Sequence, residues 1–207
     1  MSTLKEHFLL VRNFLRSDFR KCVLICTAGF LVTGVAGYFI GAMSPETIES
    51  VIAFFLESAE QSGVFQEDGT LSTFALLANN WTAMLVSVAY GLLPFAFLPL
   101  SSLVINGFIL GISGAMYQTY QMKLSLWLAG LLPHGIFEIP ALVLSIACGV
   151  YVCFQMNRFI LRHPNRAPML EVFCDVLRVM LLLVAPLTIA AAFVEAYVTP
   201  IIMSFFL

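Results

Sequence analysis

Long apolar runs alternate with short polar ones along this chain, and the spacing within each run predicts its element. Over residues 3–21, Leu4, Phe8, Val11, Leu15 and Phe19 recur at helical spacing, with Lys5, Arg12, Arg16 and Arg20 on a second stripe. A basic amphipathic helix is therefore expected within residues 1–21. Residues 22–42 carry no charge and are long enough to cross a hydrocarbon core of roughly 30 Å. At 44–63 the pattern predicts a second amphipathic helix, with Ser44 as its cap, Pro45 at its first position and Gly63 as its stop. Ile48, Val51, Ile52, Phe55 and Ala59 share one face of it, and Glu46, Glu49, Glu57 and Glu60 lie largely opposite.

Residues 71–93 and 100–117 read as two further spans joined by a tight turn at 94–99. The run at 124–156 is too long for one ordinary span and is interrupted by Pro133-His134-Gly135. Proline has no N–H to continue the helical ladder. The sequence thus predicts a short re-entrant or interfacial piece at 124–132, then a full span over 135–154. A last span, at 176–198, carries a kink at Pro186. The expected fold is all-α: a polytopic transmembrane helical bundle of five full spans plus the re-entrant or interfacial segment, with amphipathic helices on both sides. Residues 22–207 would form one transmembrane domain, with Tyr117, Tyr120 and Trp127 in an aromatic belt.

Charge orients this bundle. Lys5, Arg12, Arg16, Arg20 and Lys21 precede the first span, and Arg158, Arg162, Arg166 and Arg178 cluster between the last two; only Lys123 lies elsewhere. The 44–72 stretch holds six acids and no base. Flanking positive charge resists translocation, so the N-terminus is expected in the cytoplasm and the C-terminus outside, in the inner (cytoplasmic) membrane. With 60% hydrophobic and 11% charged residues, there is too little polar surface for a soluble core. The bases are better matched to lipid headgroups than to nucleic acid. Five cysteines, an odd number with none in the acidic loop, argue against a disulfide framework.

Candidate chemistry is confined to a few polar residues inside apolar runs. Glu138 and Glu195 are intramembrane acids, and His134 shares a helix face with Glu138 at i,i+4. Given the expected topology, Asn80, Gln118, His134, Glu138 and Glu195 all fall near the outer leaflet, and a buried polar cluster of these residues with Asn106 is expected there. Mid-span Asn106 itself reads as an interhelical hydrogen-bond donor. The cluster admits three readings: helix–helix hydrogen bonding, a proton- or substrate-handling site, or a metal site. A lone H-x-x-x-E is common by chance, so no metal or other cofactor is assigned. No protease, hydrolase or other catalytic motif is present, so no catalytic residue is named and no enzymatic activity is expected. Two small-residue stripes, Gly37-x-x-x-Gly41 and Gly107-x-x-x-Gly111, imply tight helix contacts within a protomer or between two, and self-association as a dimer is expected from them.

The same blocks carry a resemblance. Asn79-Asn80, Asn106-Gly107-Phe108-Ile109-Leu110-Gly111, Pro133-His134-Gly135-Ile136-Phe137-Glu138 and Ala191-Ala192-Phe193-Val194-Glu195-Ala196 resemble, in this order and spacing, the stage II sporulation protein M family. That resemblance implies a polytopic membrane protein whose namesake anchors an envelope complex containing peptidoglycan-degrading enzymes without being the hydrolase. Relatives occur in organisms that do not sporulate. The expectation is a non-enzymatic scaffold for a cell-envelope complex, contacting lipid, another copy of itself and envelope proteins. The alternative is a transport or export permease subunit, paired with an ATPase, with an outer-leaflet polar site around Glu138 and Glu195.

Overall fold

A computed structural model describes residues 3–64 and 70–206, apart from the side chains of Phe55, Ala59 and Glu60. Glu67 and Asp68, two of the six loop acids, lie outside the described residues. Met1, Ser2 and Leu207 at the chain ends do as well. The described part is helical: α1 Leu4–Leu15, α2 Phe19–Met43, α3 Pro45–Ser62, α4 Thr73–Ala89, α5 Pro99–Thr119, α6 Leu124–Ile160, α7 Met169–Val179, α8 Ala185–Phe193 and α9 Thr199–Ser204. Two π-helical turns, Met180–Val184 and Val194–Val198, join α7, α8 and α9 into one continuous column. Five segments are long and apolar enough to cross a membrane: α2, α4 with its 3₁₀ extension to Leu92, α5, α6 and the α7–α9 column. This is a multi-pass transmembrane helical bundle.

Burial explains which helix is central. α6 touches α2, α4, α5, α7, α8 and α9, and a run of it from Ala141 to Cys153 is buried almost without a break. α2 lies at the edge, and its Leu24, Ile25, Leu31, Val32, Val35 and Phe39 are exposed. Such an outward apolar face suits lipid, where association rests on close packing rather than on the hydrophobic effect. That packing comes from glycine. A Cβ on Gly111 would overlap the Gly34 carbonyl oxygen, one on Gly37 the Phe108 carbonyl oxygen, and one on Gly107 the Thr33 hydroxyl. The two stripes seen in the sequence therefore close on each other within one chain. They are filled from within the protomer, so the reason for expecting a dimer through them is gone. A further close approach, Gly91 against the Gly149 carbonyl, joins α4 to α6 through two isolated glycines that form no stripe.

Three local expectations change. The first is the basic helix, which ends at Leu15 instead of running to residue 21. The Ser17 hydroxyl donates to the Phe14 carbonyl at 2.7 Å, and the Phe19 N–H donates to Ser17 Oγ at 3.3 Å. A serine side chain that bonds nearby backbone in this way competes with the helical ladder. The turn lets Phe14 stack on Phe19 at 4.5 Å, with Tyr151 of α6 edge-on to both. Phe14, outside the expected stripe, is buried, whereas Leu4 and Phe8 are exposed.

The second concerns residues 124–132, which form no separate re-entrant piece. They are the first turns of α6, which continues through Pro133 and Pro140 for 37 residues, about 55 Å at 1.5 Å per residue. Long flanking turns, held by neighbours, keep the helix going although the carbonyls of Ala129 and Ile136 lose their usual N–H donors. The third change concerns Trp127, expected in the aromatic belt, which is turned inward, where its indole N–H donates to Ser113 Oγ of α5 at 3.0 Å and its ring covers Gly114.

The helix expected at 44–63 forms within one residue of those bounds. Gly63 stops it in the left-handed region at φ +64°, which glycine adopts without a steric cost. Its Ile48 is fully buried, and Val51, Ile52 and Leu56 line an apolar cavity of about 230 Å³ with Ile109, Ile112 and Met116 of α5. Glu46, Glu49 and Glu57 are exposed.

Candidate functional site

α6 and the α7–α9 column run antiparallel, and their contacts advance in matched steps of four. Gly130 faces Met203, with 3.4 Å between a Cβ built there and the Met203 sulfur. One turn along, His134 Nδ1 lies 3.4 Å from Thr199 Oγ1. A further turn brings Glu138 level with Glu195. His134 Nε2 is 3.8 Å from Glu138 Oε2, and one ligand atom from each of His134, Glu138 and Glu195 lies within 4.8 Å of the others. All three side chains are partly buried, and Thr199 is 6% exposed.

Local structure explains why Glu195 points here. It sits in the π-helical turn Val194–Val198, shortly before Pro200. A proline ring clashes with the carbonyl four residues earlier, here that of Ala196, and a widened turn relieves the clash. The other π turn, Met180–Val184, precedes Pro186 in the same way. The kink expected at Pro186 is thus a widened turn, and a second one, which the sequence reading missed, aims Glu195 at α6. V-T-P at residues 198–200 was the available signal.

Asn80 lies on α4, which packs against α6 and α8. On α4, Leu76 packs with Ala192 and Ala196, and Met84 accepts a hydrogen bond from the Thr188 hydroxyl at 3.2 Å. Asn80 lies between those two levels, and its Nδ2 is buried with no hydrogen-bond partner. Asn106 and Gln118 are engaged elsewhere. Asn106 Nδ2 donates to the Ser102 carbonyl one turn back on its own helix at 2.8 Å, so the interhelical bond expected of it is replaced by an intrahelical one. Gln118 accepts from the Tyr38 hydroxyl, an α2–α5 contact, and is exposed. Gly37, Gly41, Gly107 and Gly111 serve that same α2–α5 contact. Sequence reasoning also missed Thr199, whose short hydroxyl is ordinary in a helix until its neighbour across the groove is known.

Chemically, the group offers one imidazole nitrogen and two carboxylates beside an apolar surface. No Lys or Arg pairs with either acid among the described residues. Such a set can share protons, bind a cation, or tie two helices together.

Comparison with known proteins places the chain. An uncharacterised protein of Methanocaldococcus jannaschii is 30% identical over 133 residues, covering 64% of this chain and 74% of that protein. No solved structure matches. The family profile described as stage II sporulation protein M matches residues 26–200, a stretch that contains His134, Glu138, Glu195, Asn80 and both glycine stripes. With nearly the whole bundle inside that match, this chain belongs to the stage II sporulation protein M family.

Proposed function

We propose that this protein is a non-enzymatic anchor for a cell-envelope complex in the cytoplasmic membrane, with α1 in the cytoplasm and α3 outside. The observation that carries this reading is the mounting of α3. Ile48 is sunk into the bundle, which holds the helix against α5 and α2, and Glu46, Glu49 and Glu57 face away from it. A helix that only rested on lipid would need no such socket. A rigidly held row of acids is suited to recognising a basic surface on an extracytoplasmic partner. The family's implied anchoring role supports the same reading.

Photo-crosslinking in native membranes tests it. A crosslinker placed at Glu49 or Glu57 is expected to capture one defined envelope protein, and capture is expected to fall when the neighbouring acids are replaced by Lys. Failure to crosslink from both positions, with the protein correctly inserted, would remove α3 as the docking surface.

A second reading is favoured by a different observation, the meeting of His134, Glu138 and Glu195 between two proline-interrupted helices. Ionisable groups gathered inside membrane helices are suited to an ion or substrate path. On this reading the chain is a permease subunit with a separate ATPase partner. Glu138→Gln or Glu195→Gln would then abolish a flux that wild-type proteoliposomes sustain. Wild-type flux no greater than that of empty vesicles would count against it.

A further inference from the structure

We infer that His134, Glu138 and Glu195 form a binding site for one divalent transition-metal ion of the zinc class. The inference concerns the side chains of the second reading above, yet it depends on neither transport nor anchoring, because binding is measured without either. Four observations carry it.

First, the donor atoms converge. One imidazole nitrogen and one oxygen from each carboxylate lie within 4.8 Å of one another. Around a tetrahedral zinc with bonds of about 2.1 Å, ligand atoms are about 3.4 Å apart, so side-chain adjustments of about 1 Å complete the set. The His134 Nε2 to Glu138 Oε2 separation of 3.8 Å is already close to that spacing.

Second, the imidazole is held for the task. His134 Nδ1 lies 3.4 Å from the buried Thr199 hydroxyl, which leaves Nε2 toward Glu138, 3.8 Å from its Oε2. Metal-binding histidines characteristically have their other ring nitrogen engaged in this way, which sets tautomer and orientation.

Third, the ligands come from two separate elements. His134 and Glu138 share one face of α6, and Glu195 arrives on the π-helical turn that Pro200 imposes. Such a chelate requires the antiparallel register observed here, in which Gly130 meets Met203 and His134 meets Thr199.

Fourth, the charges balance. Two carboxylates in contact with apolar helix surface, without a Lys or Arg partner among the described residues, carry a charge that a divalent ion neutralises with neutral imidazole. The imidazole selects the class. Magnesium and calcium prefer all-oxygen shells, whereas nitrogen with carboxylate suits zinc and its neighbours. Three protein ligands leave a fourth position for water or another oxygen donor.

Full-length protein in detergent, stripped with a chelator, is titrated with Zn²⁺ and its metal content measured after desalting. The expected result is saturable binding of one ion per chain, with a rise in the thermal unfolding midpoint. Glu195→Gln, an isosteric change, should lose both effects, and so should His134→Ala. Asn106→Ala should retain them. Thr199→Val should weaken binding by about tenfold or more, with Thr199→Ser restoring it, because a positioning hydroxyl is replaced by another hydroxyl. Each variant's elution profile and helix content are checked against wild type. No saturable zinc binding by wild type would overturn the inference. Binding unchanged in both Glu195→Gln and His134→Ala would also overturn it.

Discussion

Gly111 of α5 lies against the backbone of Gly34 in α2, so close that a single methyl group on Gly111 would overlap the Gly34 carbonyl oxygen. The contact is backbone on backbone, and it cannot yield as a flexible side chain would. It makes α2, the most lipid-facing of the spans, part of the bundle.

Gly111→Ala should accordingly destabilise the detergent-solubilised protein by about 1–3 kcal/mol, the usual cost of overpacking. Gly34→Ala is the control. Its Cβ would meet only the Gly107 carbonyl at an ordinary 3.6 Å, so its unfolding midpoint should stay near wild type. Thermal unfolding of the two variants side by side checks the difference. Equal midpoints would mean that α2 and α5 are not seated as described.

A similar contrast applies on α6. Gly149 faces the Ser87 carbonyl and the Pro99 ring, whereas Gly135 has only side-chain carbons at 3.5 Å or more. Gly149→Ala is expected to cost about 1–3 kcal/mol. Gly135→Ala should be neutral or gain up to about 1 kcal/mol from helix propensity. Denaturant titration monitored by circular dichroism would show Gly149→Ala destabilised and Gly135→Ala at or above wild-type stability.

Register between α6 and the final column can be read by crosslinking. With the native cysteines replaced, Gly130→Cys and Met203→Cys should be joined by a short thiol-reactive crosslinker, because a Cβ at 130 lies beside the end of the Met203 side chain. Pro200→Ala should reduce that crosslink, since it removes the steric cause of the π turn and rotates α9 about its axis. Unchanged crosslinking would show that the π turn has another origin.

At the base of α2, Asp18 accepts a hydrogen bond from Lys21 at 2.8 Å and lies 3.9 Å from Arg158 of α6. The Lys21 hydrogen bond holds the Asp18 carboxyl below its usual range, with Lys21 and Arg158 charges adding to it. A depressed acid contributes stability that is present at neutral pH and is lost as pH falls through its folded value, below about 4. Both side chains of the Asp18–Lys21 pair are exposed, so the contribution is screened to under about 1 kcal/mol. Asp18→Asn should leave the unfolding midpoint nearly unchanged at pH 7 and flatten the acid side of the stability profile slightly.

Much of this molecule was legible in one dimension. Spans follow from apolar length, the helix at 44–63 from its proline and stop glycine, and the presence of two close-packing stripes from glycines four apart, because each of these depends on residues close in sequence; that the stripes of α2 and α5 meet each other was not legible there. His134 and Glu138 were recognisable as one face for the same reason. What α6 does at Pro133 was not readable. A proline removes one hydrogen bond locally, and whether the helix breaks depends on neighbours that hold its flanks. Nor could sequence separate Asn106 and Gln118 from the acids, since a polar residue's partner is set by the rotation of its helix. The division of α1 from α2 rests on Ser17 choosing backbone partners over solvent once Phe14 could reach Phe19 and Tyr151. Glu195 makes the distinction clearest: its presence in an apolar run is a matter of sequence, but its meeting with His134 and Glu138 required two helices in antiparallel register and a turn widened by Pro200. Periodicity is a local property of the chain, whereas facing and register are properties of surfaces brought together by packing.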